Sequence, residues 1–295
     1  MTIPECPAPR APSRPKIPTP PKACDTHAHV FGPAQRFAYA ADRSYTPPDA
    51  PLEKYLAMLD TLGFARGALV QGSAHGRDNS AMLDALERRP DRLRGVAVAD
   101  QNVPAAELRR FAACGVRALR FNHFFRGGQL HYRGGVPLSA AQALAPLMKD
   151  LGWHLQLWID VKDLPDTIPV LKSIGLPVVI DHMGRTDARA GIATPGFQSL
   201  LRLVGDGGCW AKLSGAHRLS TRAPDYPDAR PFHEALVRAN PEQLIWGTDW
   251  PHPRIEGEMP DAGHLLDLFN AWTPDEGTRR KILADNPARL YGFPG

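Results

Sequence analysis

Short apolar segments recur along this chain, and their repetition limits the possible folds more than any other feature. Each segment is followed by polar or Gly-rich residues, and helical patterns separate neighbouring segments, which is typical of βα units around a parallel sheet. The eight predicted strands are Ala23–Val30, Gly67–Gly72, Leu93–Ala99, Val116–Phe121, His154–Ile159, Pro177–His182, Cys209–Ser214 and Leu244–Asp249.

Helical patterns fill the intervals between these strands. They include Leu52–Leu62, Asn79–Arg88, Ala105–Cys114, Ala140–Leu151 and Pro165–Ile174, and Glu276–Ala284 is predicted as the closing helix. Eight strands with seven crossovers predict an α/β fold, the (β/α)8 TIM barrel. A doubly wound sheet usually has fewer strands and a Gly-rich phosphate loop, but the sequence contains no GxGxxG or GxxxxGK(S/T) motif.

Proline is concentrated at the start of the chain, where residues 1–22 contain eight prolines. Proline lacks the backbone N–H and fixes φ, so this segment suits neither a helix nor a central strand. We expect an extended arm, either loose or draped over a neighbouring surface. Residues 23–295 are then predicted as a single barrel domain, because such barrels routinely use about 250 residues.

Composition argues against several classes of protein. The 35 Lys and Arg against 31 Asp and Glu leave a formal net charge of +4, and these cations are scattered, so we expect no nucleic-acid partner. The four cysteines form no CxxC pair, which disfavours a disulfide framework and a thiolate zinc site. No apolar run approaches the roughly 20 residues of a membrane span, and no secretory leader is visible. We expect a cytoplasmic protein with a small anionic partner, and a homo-oligomer is compatible with the sequence.

Reactive side chains gather at the C-terminal ends of the predicted strands, where barrels of this kind have their active sites. His27 and His29 are two residues apart on the first strand, so both imidazoles point to one side. His182 ends the sixth strand, and Asp249 ends the eighth. Alone, the histidine pair would carry little information, and Asp249 could be a helix N-cap. Their common position at converging strand ends favours a function for all four.

Further polar side chains fall at the same strand ends. Any single arginine could be an ordinary surface charge, but the recurrence at converging ends again favours a shared site. These candidates are Ser73 and His75 after the second strand, Arg120 at the end of the fourth with Arg126 just beyond it, Arg185 after the sixth and Arg218 after the seventh.

Two histidines on the first strand, one on the sixth and an aspartate on the eighth together resemble the amidohydrolase superfamily, in its amidohydrolase 2 group. The chain is similar in particular to the 2-pyrone-4,6-dicarboxylate lactonase branch. The similarity begins at residue 24 and leaves only the proline arm uncovered. The matching stretches are Cys24–Pro33, Tyr45–Pro51, Leu69–Asn79, Arg94–Val98, Val116–Asn122, Pro177–Asp187, Leu244–Pro253 and Asn286–Tyr291.

This resemblance implies a hydrolase that opens a small carboxylated lactone, either a 2-pyrone-4,6-dicarboxylate or a sugar-acid lactone. It implies that Asp249 is the general base and that His27, His29 and His182 polarise the lactone carbonyl. It also implies that the substrate is bound by Arg120, Arg126, Arg185, Arg218, Ser73, His75 and Tyr45. A guanidinium suits this task because its planar fork matches a carboxylate with two parallel hydrogen bonds.

Two features depart from the branch. Trp158 ends the fifth strand, where the branch has a tyrosine, and an indole cannot accept a hydrogen bond. The segment Phe125–Val136 is long and Gly-rich, and we expect it to form a lid. Both features bear on which lactone the site accepts.

The superfamily commonly binds zinc or manganese. Here the fourth strand has no Lys or Glu to bridge two ions, and the fifth has no histidine at its end. Arginines crowding the cavity would also oppose a divalent cation. We therefore expect metal-independent hydrolysis without a cofactor. A mononuclear zinc or manganese ion held by His27, His29, His182 and Asp249 stays the alternative.

Other functions on the same barrel stay open. They are a metal-dependent decarboxylase, a lactone isomerase that uses no water, and a non-catalytic barrel that binds a dicarboxylate. The last is disfavoured, because a binding protein gains little from a base such as Asp249 beside three histidines.

Overall fold

The computed structural model describes residues 3–126, 128–255 and 257–294, without the side chain of Arg126. Its strands are β1 Cys24–Ala28, β2 Arg66–Val70, β3 Leu93–Ala97, β4 Val116–His123, β5 Phe125–Arg126, β6 Gln129–Leu130, β7 His154–Ile159, β8 Val178–Ile180, β9 Trp210–Lys212 and β10 Leu244–Ile245. Eight of them form a parallel sheet in the order β1–β2–β3–β4–β7–β8–β9–β10, while β5 and β6 form a separate antiparallel hairpin. The predicted (β/α)8 TIM barrel is confirmed.

Backbone bonds between the first and last strand regions close the sheet into a barrel. Ala28 forms a parallel bridge with Trp250. The N–H of His29 donates to the carbonyl of Trp250 (2.8 Å), and the N–H of Asp249 donates to the carbonyl of His27 (2.7 Å). Closure of the barrel thus brings the first-strand histidines beside the aspartate that follows β10.

The helices are α1 Leu52–Leu62, α2 Ser80–Arg88, α3 Ala105–Ala113, α4 Ala141–Asp150, α5 Leu164–Ile174, α6 Pro195–Gly205, α7 Ala216–Leu219, α8 Arg230–Ala239, α9 Ala262–Trp272, α10 Glu276–Arg280 and α11 Asn286–Tyr291. Helix α1 shows why they pack on the sheet, since Tyr55, Met58, Leu59 and Leu62 are buried at helical spacing. It ends at Gly63, whose φ of 79° suits a residue without Cβ.

The predicted closing helix is interrupted. Helix α10 ends at Arg280, a π-helical turn spans residues 281–285, and α11 follows. Pro287 lies in the first turn of α11 and has no backbone N–H to donate to the preceding turn. The single helix predicted over Glu276–Ala284 was therefore wrong in extent.

Apolar side chains fill one end of the barrel interior. Ala68, Val96, Val179 and Ile245 from four strands pack there with Tyr291 of α11. This plug leaves the opposite end, at the carboxyl termini of the strands, as the place where polar side chains meet.

The N-terminal arm is extended and hydrogen-bonded to the barrel. Its bonds run from Cys6 N to the carbonyl of Thr46 (2.8 Å), from Ser13 N to Asp261 Oδ1 (2.9 Å), from Lys16 N to Asp267 Oδ1 (2.7 Å) and from Thr19 Oγ1 to the carbonyl of Gly63 (2.7 Å). The described arm is therefore draped over the barrel rather than loose. Every helix within the described ranges is too short or too polar to span a membrane.

The Gly-rich segment, part of the loop after β4, lies over the loops that follow β1 and β2. Arg133 N donates to Ser44 Oγ (2.9 Å), and Asn122 N donates to the carbonyl of Val136 (2.7 Å). Gly134 has a φ of 81°, and a Cβ there would come within 2.9 Å of Gly76 Cα, so only glycine permits this approach. The glycines therefore serve close docking of the segment on the barrel.

Candidate active site

Three imidazoles converge on one carboxylate oxygen at the open end of the barrel. The distances to Oδ1 of Asp249 are 3.8 Å from His27 Nε2, 3.7 Å from His29 Nε2 and 3.7 Å from His182 Nε2. All four side chains are buried, with at most 6% exposed. The sequence-predicted quartet is thus brought together, by β1, by the turn after β8 and by the segment after β10.

The other nitrogen of each ring is held by the protein. His29 Nδ1 lies 2.8 Å from the carbonyl of Val70, and since a carbonyl only accepts, Nδ1 carries a hydrogen. His182 Nδ1 pairs with Ser214 Oγ at 2.9 Å. Burial lowers the pKa of His182 to about 3 and holds that of His27 well below its usual value, so both rings are neutral.

Asp249 is held from its other side. Its Oδ2 lies 2.7 Å from both Nε and Nη2 of Arg218 and 3.0 Å from Nε2 of His217. Asp249 has a φ of 64°, and His182 has a φ of 50°, a left-handed backbone that is uncommon away from glycine. Such backbone strain is concentrated at functional sites, because the surrounding structure has to maintain it.

A small cavity lies above this cluster. It is lined by His29, Tyr45, Ser73, Arg120, Tyr132, Trp158, His182, Arg185, Arg218, Asp249 and Pro253. Tyr45 and Ser73 are joined through their hydroxyl groups at 3.3 Å. Three of the four predicted arginines therefore reach the cavity wall. The side chain of the fourth, Arg126, lies outside the described part of the structure.

His75 does not lie where the resemblance implied. His75 is not among the described residues that line the cavity. Its Nδ1 pairs with the carbonyl of Ala38 (3.0 Å), Gly32 N points at its Nε2 (3.4 Å), and its ring stacks on Phe31. In the described structure the ring packs the loops after β1 and β2, and a role of His75 in substrate binding stays an untested prediction.

Comparison with known proteins agrees with this geometry. Residues 24–293 match the model of the Amidohydro_2 (amidohydrolase) family. The chain belongs to the amidohydrolase family. This amidohydrolase is 37% identical over 289 residues to a 2-pyrone-4,6-dicarboxylate hydrolase of Comamonas testosteroni, an alignment that covers 95% of this chain and 93% of the relative.

Two further relatives lie at a similar distance from this amidohydrolase. A 4-sulfomuconolactone hydrolase of Rhizobium radiobacter is 39% identical, with coverage of 98% of this chain and 97% of the relative. A crystal structure from Pseudomonas putida named for 2-pyrone-4,6-dicarboxylic acid hydrolase superposes with a TM-score of 0.79 at 38% identity, covering 92% of this chain and 98% of that one. A D-galactarolactone isomerase of Agrobacterium fabrum is more distant, at 28% identity over 91% of this chain and 90% of the relative.

Aromatic rings form one wall of the amidohydrolase cavity. Trp158 stacks on Tyr132 of the Gly-rich segment at 4.6 Å and 20°, and on Phe124 at 4.6 Å and 22°. Sequence reasoning noticed Trp158 but missed Tyr132, because a side chain in a long loop gives no signal of where it points.

A buried polar network lies beside His27, and sequence reasoning did not predict it. Lys212, Gln156 and Asp181 are fully buried inside the barrel. Burial lowers the pKa of Lys212 to about 8, which leaves it mainly charged at neutral pH. Asp181 Oδ2 accepts hydrogen bonds from Arg120 Nε and Gln156 Nε2, each at 3.1 Å. A lysine in the middle of the apolar strand Cys209–Ser214 was the available sequence signal for such a network.

The quartet has the residue types of a metal site. His27, His29 and Asp249 offer ligand atoms that all lie within 4.8 Å of one another, and so do His27, Asp181 and His182. Three imidazoles and a carboxylate suit a single zinc ion. As metal ligands, His27 and His29 would each have to present a lone pair at Nε2 and carry their single hydrogen on Nδ1.

Proposed function

We propose that this amidohydrolase opens a small anionic lactone by hydrolysis. The observation that carries the proposal is the burial of an ionised Asp249 among three imidazoles, beneath a wall of guanidinium groups. Relatives at 37% and 39% identity are hydrolases of 2-pyrone-4,6-dicarboxylate and 4-sulfomuconolactone, both of which are anionic lactones. A carboxylated pyrone or a related lactone is therefore the proposed substrate class, with a sugar-acid lactone as the second choice.

In the proposed mechanism, Asp249 takes a proton from a water molecule as the water oxygen bonds to the lactone carbonyl carbon. The carbonyl becomes a tetrahedral oxyanion, and the imidazoles of His27, His29 and His182 surround the place where the negative charge develops. The ring C–O bond then breaks, and Asp249 returns the proton to the leaving ring oxygen. The products are a carboxylic acid and an enol or alcohol.

The arginines would bind the anionic substituents. Arg120, Arg185 and Arg218 all line the cavity, and each can form a forked pair with a carboxylate or sulfonate. Arg218 already pairs with Asp249, so an arriving substrate anion would share its guanidinium with the base. Tyr45 and Ser73 supply hydroxyl groups on the same wall.

A panel of lactones tests this function. Purified protein is assayed with 2-pyrone-4,6-dicarboxylate, the corresponding monocarboxylate and a sugar-acid lactone, each with and without a chelator. We expect kcat/KM to be largest for the dicarboxylate and unchanged by chelation. Decarboxylation in place of ring opening, or binding without turnover, would contradict the proposal.

A further inference from the structure

A lysine is buried directly beside the first catalytic imidazole. Lys212, the last residue of β9, has no exposed side-chain surface. Its Nζ lies 2.9 Å from the carbonyl oxygen of Thr26, 2.8 Å from Gln156 Oε1 and 3.2 Å from His27 Nδ1. A lysine ammonium has three hydrogens to donate and no lone pair. The three partners therefore match the three hydrogens, with His27 Nδ1 as the third acceptor.

Asp181 is the competing partner for the same nitrogen of His27. Its Oδ1 lies 3.3 Å from His27 Nδ1 and 3.4 Å from Lys212 Nζ. In the described part of the structure, however, this oxygen has no hydrogen bond of acceptable geometry. The contact between Lys212 and His27 does meet that geometry. The hydrogen between these groups is thus placed on Lys212, and Nδ1 of His27 accepts.

This assignment decides the state of the opposite ring nitrogen. A neutral imidazole that accepts at Nδ1 carries its hydrogen at Nε2. Nε2 of His27 is buried, has no hydrogen-bond partner among the described residues, and points toward Asp249 Oδ1 at 3.8 Å. A buried donor without a partner is costly, so this N–H is suited to donate to an acceptor oxygen of a bound substrate.

His27 and His29 therefore use Nδ1 in opposite ways, although both belong to one His-x-His motif. His29 donates at Nδ1 to the carbonyl of Val70, which is how a metal-ligating imidazole commonly uses its second nitrogen. His27 accepts at Nδ1 and presents a hydrogen. A metal ion bound by this pair would need a lone pair on both rings.

We propose that Lys212 is a positioning residue that holds His27 in the tautomer with its hydrogen on Nε2, so that His27 donates to the carbonyl oxygen of the substrate and cannot ligate a metal ion. The identity of the acceptor oxygen rests on the proposed lactonase function. The tautomer and its effect on metal binding do not rest on that function, so an experiment can disprove them without disproving the lactonase activity, and the reverse.

The tautomer is measured directly on the full wild-type chain. Histidine labelled with ¹⁵N gives two-bond ¹⁵N–¹H spectra that distinguish a protonated ring nitrogen from an unprotonated one, and the His27→Gln spectrum identifies the signals of His27. We expect a protonated Nε2 and an unprotonated Nδ1 without any ligand present. A hydrogen on Nδ1 of His27 would overturn the proposal.

Zinc binding by Lys212→Met provides the second measurement. Without the lysine, His27 can donate from Nδ1 to Asp181 and release its Nε2 lone pair. Because partners of ligand histidines change metal affinity by about 10- to 100-fold, we expect the zinc Kd to fall about tenfold or more. The exposed Lys149→Met on α4 is the matched control and should bind zinc as the wild type does. Equal zinc affinity in folded Lys212→Met and wild type would contradict the proposal; if the variant fails to fold, the wild-type spectrum decides.

Discussion

Arg218 places both Nε and Nη2 2.7 Å from Oδ2 of Asp249, on the side of the carboxylate opposite the three imidazoles. Burial alone would raise the pKa of Asp249, but the charge of Arg218, aided by hydrogen bonds such as that from His217, outweighs burial and holds this pKa well below its usual value. The carboxylate is therefore ionised throughout the neutral range and able to accept a proton.

Replacing the guanidinium should change the pH dependence of catalysis. In Arg218→Met, burial acts on Asp249 with less opposition, so its pKa rises. A base must be ionised to work, so activity is lost as the pH falls through that raised pKa. We expect the acidic limb of the kcat/KM profile to move to higher pH. Arg109→Met, at an exposed position of α3, should leave the profile unchanged; an unmoved limb in Arg218→Met would show that Arg218 does not set the pKa of the base.

Arg120→Lys should affect binding more than turnover. Arg120 lines the cavity and is oriented by Asp181 through Nε at 3.1 Å and Nη2 at 3.0 Å. Lysine keeps the charge but loses the fork. We expect KM for a pyrone dicarboxylate to rise about tenfold or more, as loss of a charged hydrogen bond implies, while kcat changes little. Steady-state kinetics with the dicarboxylate and its monomethyl esters tests this. An equal rise of KM for every substrate would show that Arg120 has only a structural role.

His75→Ala should reduce stability and leave catalysis intact. The ring is buried, and both nitrogens are used by the backbone of the loops after β1 and β2. We expect the free energy of unfolding to fall by about 1–3 kcal/mol, with KM within about twofold of wild type. Urea unfolding and initial-rate kinetics measure the two effects. A large rise in KM at unchanged stability would assign His75 to substrate binding instead.

Removal of residues 1–22 should leave a folded barrel. The first strand begins at Cys24, and the described arm is attached mainly through a few hydrogen bonds to α9, to the end of α1 and to Thr46. We expect an unchanged far-UV circular dichroism spectrum and a lower Tm. Loss of an oligomer without loss of secondary structure would show that the arm joins subunits, and wholesale unfolding would contradict the division of the chain at residue 23.

The sequence could predict that the three histidines and the aspartate meet, because their meeting follows from their positions at the ends of the strands. Parallel strands of a barrel end on one face, so His27, His29, His182 and Asp249 had to approach one another once the strands were placed correctly. Alternation along a strand then determined which of the neighbouring side chains face inward. No long-range packing had to be known for this step.

The partners of charged groups were not accessible in the same way. Arg218 pairs with Asp249 across 31 positions of the sequence, and Lys212 pairs with His27 across 185. Both pairs depend on side-chain rotamers and on distances in the folded chain. His75 shares the strand-end register of Ser73, but its ring turns toward the carbonyl of Ala38 instead of the cavity. Tyr132 reaches the site only because glycines allow its loop to dock closely.

The most direct test of the proposed chemistry is ring opening of 2-pyrone-4,6-dicarboxylate in H₂¹⁸O by the wild type and by Asp249→Asn. The asparagine keeps the shape of the carboxylate but cannot take a proton from water. We expect one ¹⁸O atom in the new carboxylate of the wild-type product, and a kcat in Asp249→Asn lower by about 10²- to 10⁴-fold. The exposed Asp206→Asn should behave as the wild type does. Ring opening without ¹⁸O, or turnover by Asp249→Asn near the wild-type rate, would contradict hydrolysis with Asp249 as the base.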